Sequence, residues 1–203
     1  MRLFLALFLG IWATLAGADS IDPAFPALYS VVGVDIDDTL NIRALPDAKA
    51  EIVGQLAYDA ADIEVTALSR EGQWARMNFG EKTGWAAARF LLRQPEVTNG
   101  LGLPLGLTCF GTEPFWTMAF LDETTLNYLT PEGETRFAIL STSPSPGFTQ
   151  IAETGYRFTW QSDQAEVTAH ILPGQCSDGM SDRAYGLHYI DNERPRIGCC
   201  SLR

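Results

Sequence analysis

Histidine is nearly absent from this chain of 203 residues, which carries only His170 and His188, and none of its four cysteines forms a C-x-x-C pair. The familiar zinc-ligand spacings are therefore missing. Basic residues are scarce as well: 14 Lys and Arg stand against 25 Asp and Glu, a formal net charge of −11. The deficit runs along the whole chain, with 10 acidic and 7 basic residues between positions 30 and 93, and 13 and 6 between 94 and 203. Neither half supplies the basic footprint that a phosphate backbone or an anionic lipid surface needs. Nucleic acid is accordingly not an expected partner, and the acidity serves solubility. No window holds a helical apolar period of useful length. No G-x-S-x-G elbow surrounds any serine.

What is present begins with an export signal. Arg2 precedes an apolar run from Leu3 to Leu15, and Ala16-Gly17-Ala18 offers small residues for cleavage before Asp19. The run is shorter than the roughly 20 residues that span a bilayer, so residues 1–18 are expected to be removed. No stable membrane insertion is expected afterwards. Export brings an oxidising compartment, periplasmic or extracellular, in which Cys109, Cys176, Cys199 and Cys200 are expected to form two disulfides. Adjacent cysteines seldom bond each other, so Cys109 and Cys176 should each take one member of the doublet. If that doublet lies on a strand, its side chains point to opposite faces.

An all-β fold follows from the period-2 alternation. After an extended lead-in at 19–29, short strands are expected at Val31–Val34, Leu40–Ala44, Ile52–Leu56, Ile63–Leu68, Trp74–Phe79 and Thr83–Ala86, with turns every eight to twelve residues. That spacing indicates a small barrel over residues 30–93. Residues 94–107 have the proline and glycine content of a linker, although the alternation of Leu101, Leu103, Leu105 and Leu107 equally suits an ordered loop. A second antiparallel β-barrel or sandwich is expected over 108–203, with alternating runs around Trp116–Phe120, Tyr156–Trp160, Val167–Ile171 and Tyr185–Tyr189. Turns are expected at Pro131-Glu132-Gly133, Pro144-Ser145-Pro146-Gly147 and Pro173-Gly174.

Thr39-Leu40-Asn41-Ile42-Arg43, then Gly72-Gln73-Trp74-Ala75-Arg76, then Gly84-Trp85 form a pattern that resembles the bacterial SH3 family, over roughly residues 30–92. The resemblance implies a small barrel that binds rather than catalyses, with peptidoglycan or an envelope protein or peptide as partner. Trp74 and Trp85 are its candidate ligand contacts, assisted by Asn41 and Arg43. The chain departs from the family at Leu45-Pro46 and Asp59-Ala60, where a turn glycine is common. Those loops select ligands, so ligand identity does not carry over.

Gly111-Thr112-Glu113-Pro114-Phe115-Trp116, Cys176-Ser177-Asp178-Gly179-Met180-Ser181-Asp182-Arg183 and Gly198-Cys199 together resemble a family of uncharacterised bacterial envelope proteins, over roughly Thr108 to Cys200. The resemblance implies the pairing Cys176 with Cys199, which leaves Cys109 with Cys200. This chain lacks the lipid-attachment cysteine of many such relatives. From the residues themselves, Glu113 before Pro114 should be extended, and three arrangements are open. Glu113, Asp178, Ser181 and Arg183 form a structural polar cluster at one end of the barrel; or, with Trp116, they line a ligand pocket; or the carboxylates hold calcium without EF-hand spacing. A hydrolase would use Glu113 with Asp178 or Asp182 as an acid/base pair, and a small-ligand carrier would need a cavity inside the second barrel. No cofactor is expected. The expected function is an exported, non-enzymatic binding or scaffolding component of the cell envelope.

Overall fold

Alternation is realised as strand after strand. A computed structural model describes residues 26–145, 155–162, 165–191 and 196–202. The expected signal and most of the lead-in therefore lie outside the described residues, as does the Pro146-Gly147 part of the expected turn. The first seven strands are β1 (Ala27–Val31), β2 (Thr39–Arg43), β3 (Ile52–Ala57), β4 (Ile63–Leu68), β5 (Trp74–Phe79), β6 (Lys82–Ala87) and β7 (Leu91–Arg93). They form one antiparallel sheet in the order β3-β2-β6-β5-β4-β1-β7. Leu40, Ile42, Val65, Ala75, Met77 and Ala86 make its core, each from the inward positions of its strand. Gly84 permits the closest approach inside it, since a Cβ there would sit 2.4 Å from Ile42 Cγ2.

The expected strand at Val31–Val34 starts earlier and stops earlier, because Gly33 turns the chain with φ of 68°. Strand β1 pairs with both β4 and β7, so the sheet has seven strands where the sequence pattern suggested six.

Eight further strands close into a barrel: β8 (Thr108–Thr112), β9 (Phe115–Phe120), β10 (Thr125–Thr130), β11 (Gly133–Ser145), β12 (Gly155–Gln161), β13 (Glu166–Cys176), β14 (Tyr185–Asp191) and β15 (Ile197–Ser201). All neighbours are antiparallel, and β15 closes the ring by pairing with β8. Closure removes the exposed edges that an open sheet would present. The interior is filled by large side chains, with Met118, Leu126, Phe158, Ile171 and Tyr189 essentially inaccessible and Trp116 and Trp160 packed among them. A carrier reading that needs a cavity inside this barrel finds the space occupied by aromatic rings instead.

The residues expected to be a linker are ordered. Asn99 caps its own loop by accepting from the amides of Leu101 and Leu103, while Leu103 and Leu107 are buried in the barrel core. The alternating leucines do not share one environment, for Leu105 is 52% exposed. Pro173-Gly174 is not a turn either. Strand β13 runs through it with a register irregularity between Pro173 and Cys176, where proline has no N–H to give the ladder.

The disulfides join Cys109 to Cys200 and Cys176 to Cys199. Cys200 points into the barrel core, and Cys199 points outward into a separate cluster with Cys176, Tyr185 and Phe110. Two neighbouring residues thus staple the last strand from both faces. Gly198 precedes them because Phe110 O would lie 2.2 Å from a Cβ at that position.

The sheet and the barrel touch through polar contacts as well. Arg76 Nη1 donates to Gln175 Oε1 at 3.2 Å, and the Asn78 side chain donates to Ala184 O at 2.9 Å and accepts from Ala184 N at 3.0 Å. Asp182 N donates to Glu81 O at 3.1 Å. Glu64 is buried in this contact and accepts from Ser201 Oγ at 2.6 Å and Leu202 N at 3.0 Å.

Candidate functional site

Strand β5 alternates, with Ala75 and Met77 inward and Trp74 and Arg76 outward. Trp74 is held at the strand's start, where its amide donates to Ser69 Oγ at 3.1 Å. Across β6 from it, β2 turns Leu40 and Ile42 inward and leaves Asn41 and Arg43 on the outer face. The Arg43 guanidinium donates to Ala50 O at 2.7 Å, which ties down the loop that follows β2. Asn41 Oδ1 accepts from Gln55 Nε2 at 3.1 Å.

These side chains line a cleft of about 290 Å³ together with Asp35, Asp38, Arg89 and Phe90. A second cleft of about 850 Å³ adjoins it, bounded by Pro46, Asp47, Gly72 and Gln73. Both include Ala48, Trp74, Ala87 and Arg89, so Trp74 stands where they meet. The lining is mixed in charge. Asp35, Asp38 and Asp47 face a groove whose cations are Arg43, spent on Ala50 O, and Arg89, stacked 4.5 Å from the Phe90 ring centroid. A flat indole flanked by carboxylates suits an extended chain that carries an amine and an apolar stem.

Three of the four expected groove residues, Trp74, Asn41 and Arg43, meet here. Trp85 does not line the groove; it sits in mid-β6, in register with Arg43 on one side and Arg76 on the other. The sequence reading missed Asp35, Asp38, Arg89 and Phe90. Their only signal was position, because they flank strands whose outer faces were already candidates.

The residues singled out in the second half are placed differently. Glu113 is exposed at the tip of the β8–β9 hairpin, before a cis Glu113-Pro114 bond. Trp116 is buried, 4.8 Å from the Tyr189 ring and stacked on Tyr128. It does not join Asp178, Ser181 and Arg183. Asp178 spends both oxygens inside its own turn: Oδ1 accepts from the amides of Met180 and Ser181 at 3.0 and 2.9 Å, and Oδ2 accepts from Ser181 Oγ at 2.7 Å and Tyr185 OH at 3.4 Å. Burial would raise its pKa, but those bonds prevail and hold it below the ordinary 3.8. Thr112 Oγ1 donates to Asp178 O at 3.1 Å, which joins the two motifs through backbone. The Arg183 guanidinium lies over the Tyr185 ring, 5.3 Å from its centroid. The turn from Ser177 to Ala184 is therefore a rigid clasp that presents Asp182 and Ala184 to the first sheet. An acid/base reading that pairs Glu113 with Asp178 requires that carboxylate to be free, and Asp178 is already saturated.

A depressed carboxylate pKa gives a signed expectation. The clasp's contribution is full above the unfolded value near 3.8 and is lost as pH falls through the lower folded value. Amide-exchange protection at Met180 and Ser181 should be equal at pH 7 and pH 5 and should decline only below 3.8. A decline already at pH 5 would show that Asp178 does not hold the turn.

Among the described residues, no group of three or more His, Cys, Asp or Glu is placed to hold a metal ion, and no helix is long and apolar enough to cross a membrane. Residues 38–91 match the family model described as the bacterial SH3 domain. The matched stretch contains β2 to β6 and every groove residue except those of the Gly33–Asp35 turn. No curated protein and no solved structure matches the chain.

Proposed function

We propose that this is an exported, non-enzymatic binding or scaffolding protein of the bacterial cell envelope, whose Trp74 groove takes a peptidoglycan stem or another envelope peptide. The observation that carries this reading is the convergence of Trp74, Asn41 and Arg43 in one open groove within the matched SH3 stretch. Bacterial SH3 domains commonly bind cell-wall components. Two disulfides suit an extracytoplasmic setting, and the apolar run before Ala16-Gly17-Ala18 supports removal of residues 1–18. The division into an SH3-like unit over 30–93 and a stapled unit over 108–203 is supported by the two separate strand systems. The motif order from Gly111 to Cys199 supports grouping the second unit with the envelope proteins it resembles.

The groove separates the roles of the two tryptophans. On purified peptidoglycan at low salt, the chain should be retained, and Trp74→Ala should weaken retention by at least about tenfold. Trp85→Ala, outside the lining, should leave retention within about twofold once folding is verified by far-UV circular dichroism. No retention of the unaltered chain, or equal loss from both variants, would remove the proposed ligand or the proposed groove.

A further inference from the structure

A partly open pocket lies away from the Trp74 groove. It is a chamber of about 310 Å³ where the start of β1 and the 93–97 and 104–105 segments meet Tyr156, Pro173 and Leu187, which lie on the core-facing sides of β12, β13 and β14. We infer that this chamber is a binding site for a small, neutral, apolar molecule.

Four prolines, Pro26, Pro95, Pro104 and Pro173, contribute to its walls. Proline carries no backbone N–H, so each presents a ring without a donor. Leu187 and Leu202 add aliphatic surface from the barrel side. Several polar side chains that reach the chamber are already bonded within the protein. Gln94 Nε2 donates to Ser30 Oγ at 2.8 Å, and Tyr156 OH donates to Glu96 Oε1 at 3.1 Å. Burial and the charge of Glu96 push the Tyr156 hydroxyl up to about 12, so it stays a protonated donor to that carboxylate. Arg93 is likewise engaged by the protein.

Water needs two to four polar partners to be held in a cavity, and this lining offers few. An apolar occupant that displaces weakly held water from a preformed site gains affinity. The volume matches the lower end of small-molecule sites, about 300 Å³. Charge selects further. Asp62 and Glu96 outnumber Arg93 at the rim, so an anionic headgroup is disfavoured.

Two fluorescent probes that differ by one sulfonate test both claims. N-phenyl-1-naphthylamine is neutral, and 8-anilinonaphthalene-1-sulfonate is its anionic counterpart. On the disulfide-bonded chain expressed from Asp19, the neutral probe should bind saturably, and the sulfonate at least about tenfold more weakly. Leu105→Trp should close the chamber and reduce binding of the neutral probe about tenfold or more. Leu105 and Val97 are 52% and 59% exposed, so Val97→Trp supplies a second closure should the first misfold. Phe115→Ser, in an apolar cleft on the barrel's other side strands, should change nothing. Absence of saturable binding, equal binding of the sulfonate, or loss only in Phe115→Ser would each overturn the assignment. Peptidoglycan retention is read in a separate groove, so failure here leaves the Trp74 reading intact.

Discussion

Replacing Cys109 and Cys200 together by alanine is expected to cost about 4 to 5 kcal/mol of stability, the largest effect of any change considered for this protein. The bond closes 91 residues of sequence, nearly the whole barrel, and joins directly opposed positions of β8 and β15. Without it, the unfolded chain regains the entropy of that loop, and closure of the barrel must be driven by packing alone. The second bond spans only 23 residues, so Cys176→Ala with Cys199→Ala should cost about 3 kcal/mol. The ranking is the sharper test, because both pairs are buried and both removals leave similar voids. Urea denaturation of the two double variants should place the 109/200 pair lower by about 1 kcal/mol. A reversed ranking would mean that local packing around Tyr185 and Phe110, and not loop closure, sets the contribution of these bonds.

The same comparison shows what alternation can and cannot convey. Period-2 patterns locate strands well where one face is apolar. The expected Ile63–Leu68 and Trp74–Phe79 coincide with β4 and β5, and the all-β class holds throughout. Alternation also implies which residues point together, as for Leu40 with Ile42 or Phe158 with Trp160. It does not say what covers the other face. In β4, Glu64 and Thr66 occupy the polar positions of the pattern, yet both are buried: the end of β15 bonds to Glu64, and Arg76 of β5 bonds to Thr66. A polar residue on a strand reads as wet until a second unit arrives to dry it.

The candidate residues come together or stay apart for a related reason. Trp74, Asn41 and Arg43 converge because the family pattern fixes strand register, and register fixes which outward residues are neighbours. Glu113, Trp116, Asp178 and Arg183 were grouped by residue type and motif order alone. Trp116 turns inward while its neighbour Phe115 is 53% exposed, an alternation that the sequence permits in either sense. Asp178 has a turn's worth of amides within reach before any ligand arrives, which is the usual fate of an Asx residue followed by glycine. Pro173-Gly174 illustrates a third limit. Turn-forming composition and a strand irregularity use the same residues, and only the partner strand distinguishes them.

Glu64→Ala is expected to cost about 2 to 4 kcal/mol, comparable to removal of the Cys176–Cys199 bond, and to act on the junction between sheet and barrel. The carboxylate accepts two bonds from the far end of β15, from Ser201 Oγ at 2.6 Å and Leu202 N at 3.0 Å. Each such bond contributes about 0.5 to 1.5 kcal/mol net. Alanine takes this acceptor from the buried Ser201 hydroxyl and the part-buried Leu202 amide, so the change costs more than the sum of two lost contacts on an open surface. Glutamine retains the shape and one acceptor oxygen, and its amide must turn a donor toward one of the two donors present, so its loss should fall between alanine and the unaltered chain. Leu202 also lines the 310 Å³ chamber and packs against the barrel core. Loosening of the Glu64 latch should therefore be seen first as faster amide exchange at Ser201 and Leu202, at denaturant concentrations where the exchange of Phe158 is unchanged. Simultaneous loss of protection at all three residues would mean that sheet and barrel unfold as one cooperative unit, with Glu64 stabilising the whole. Protection unaffected by either substitution would show that the remaining contacts between sheet and barrel, those of β4 with β14 among them, suffice to hold the junction, and that the buried carboxylate contributes nothing net to it.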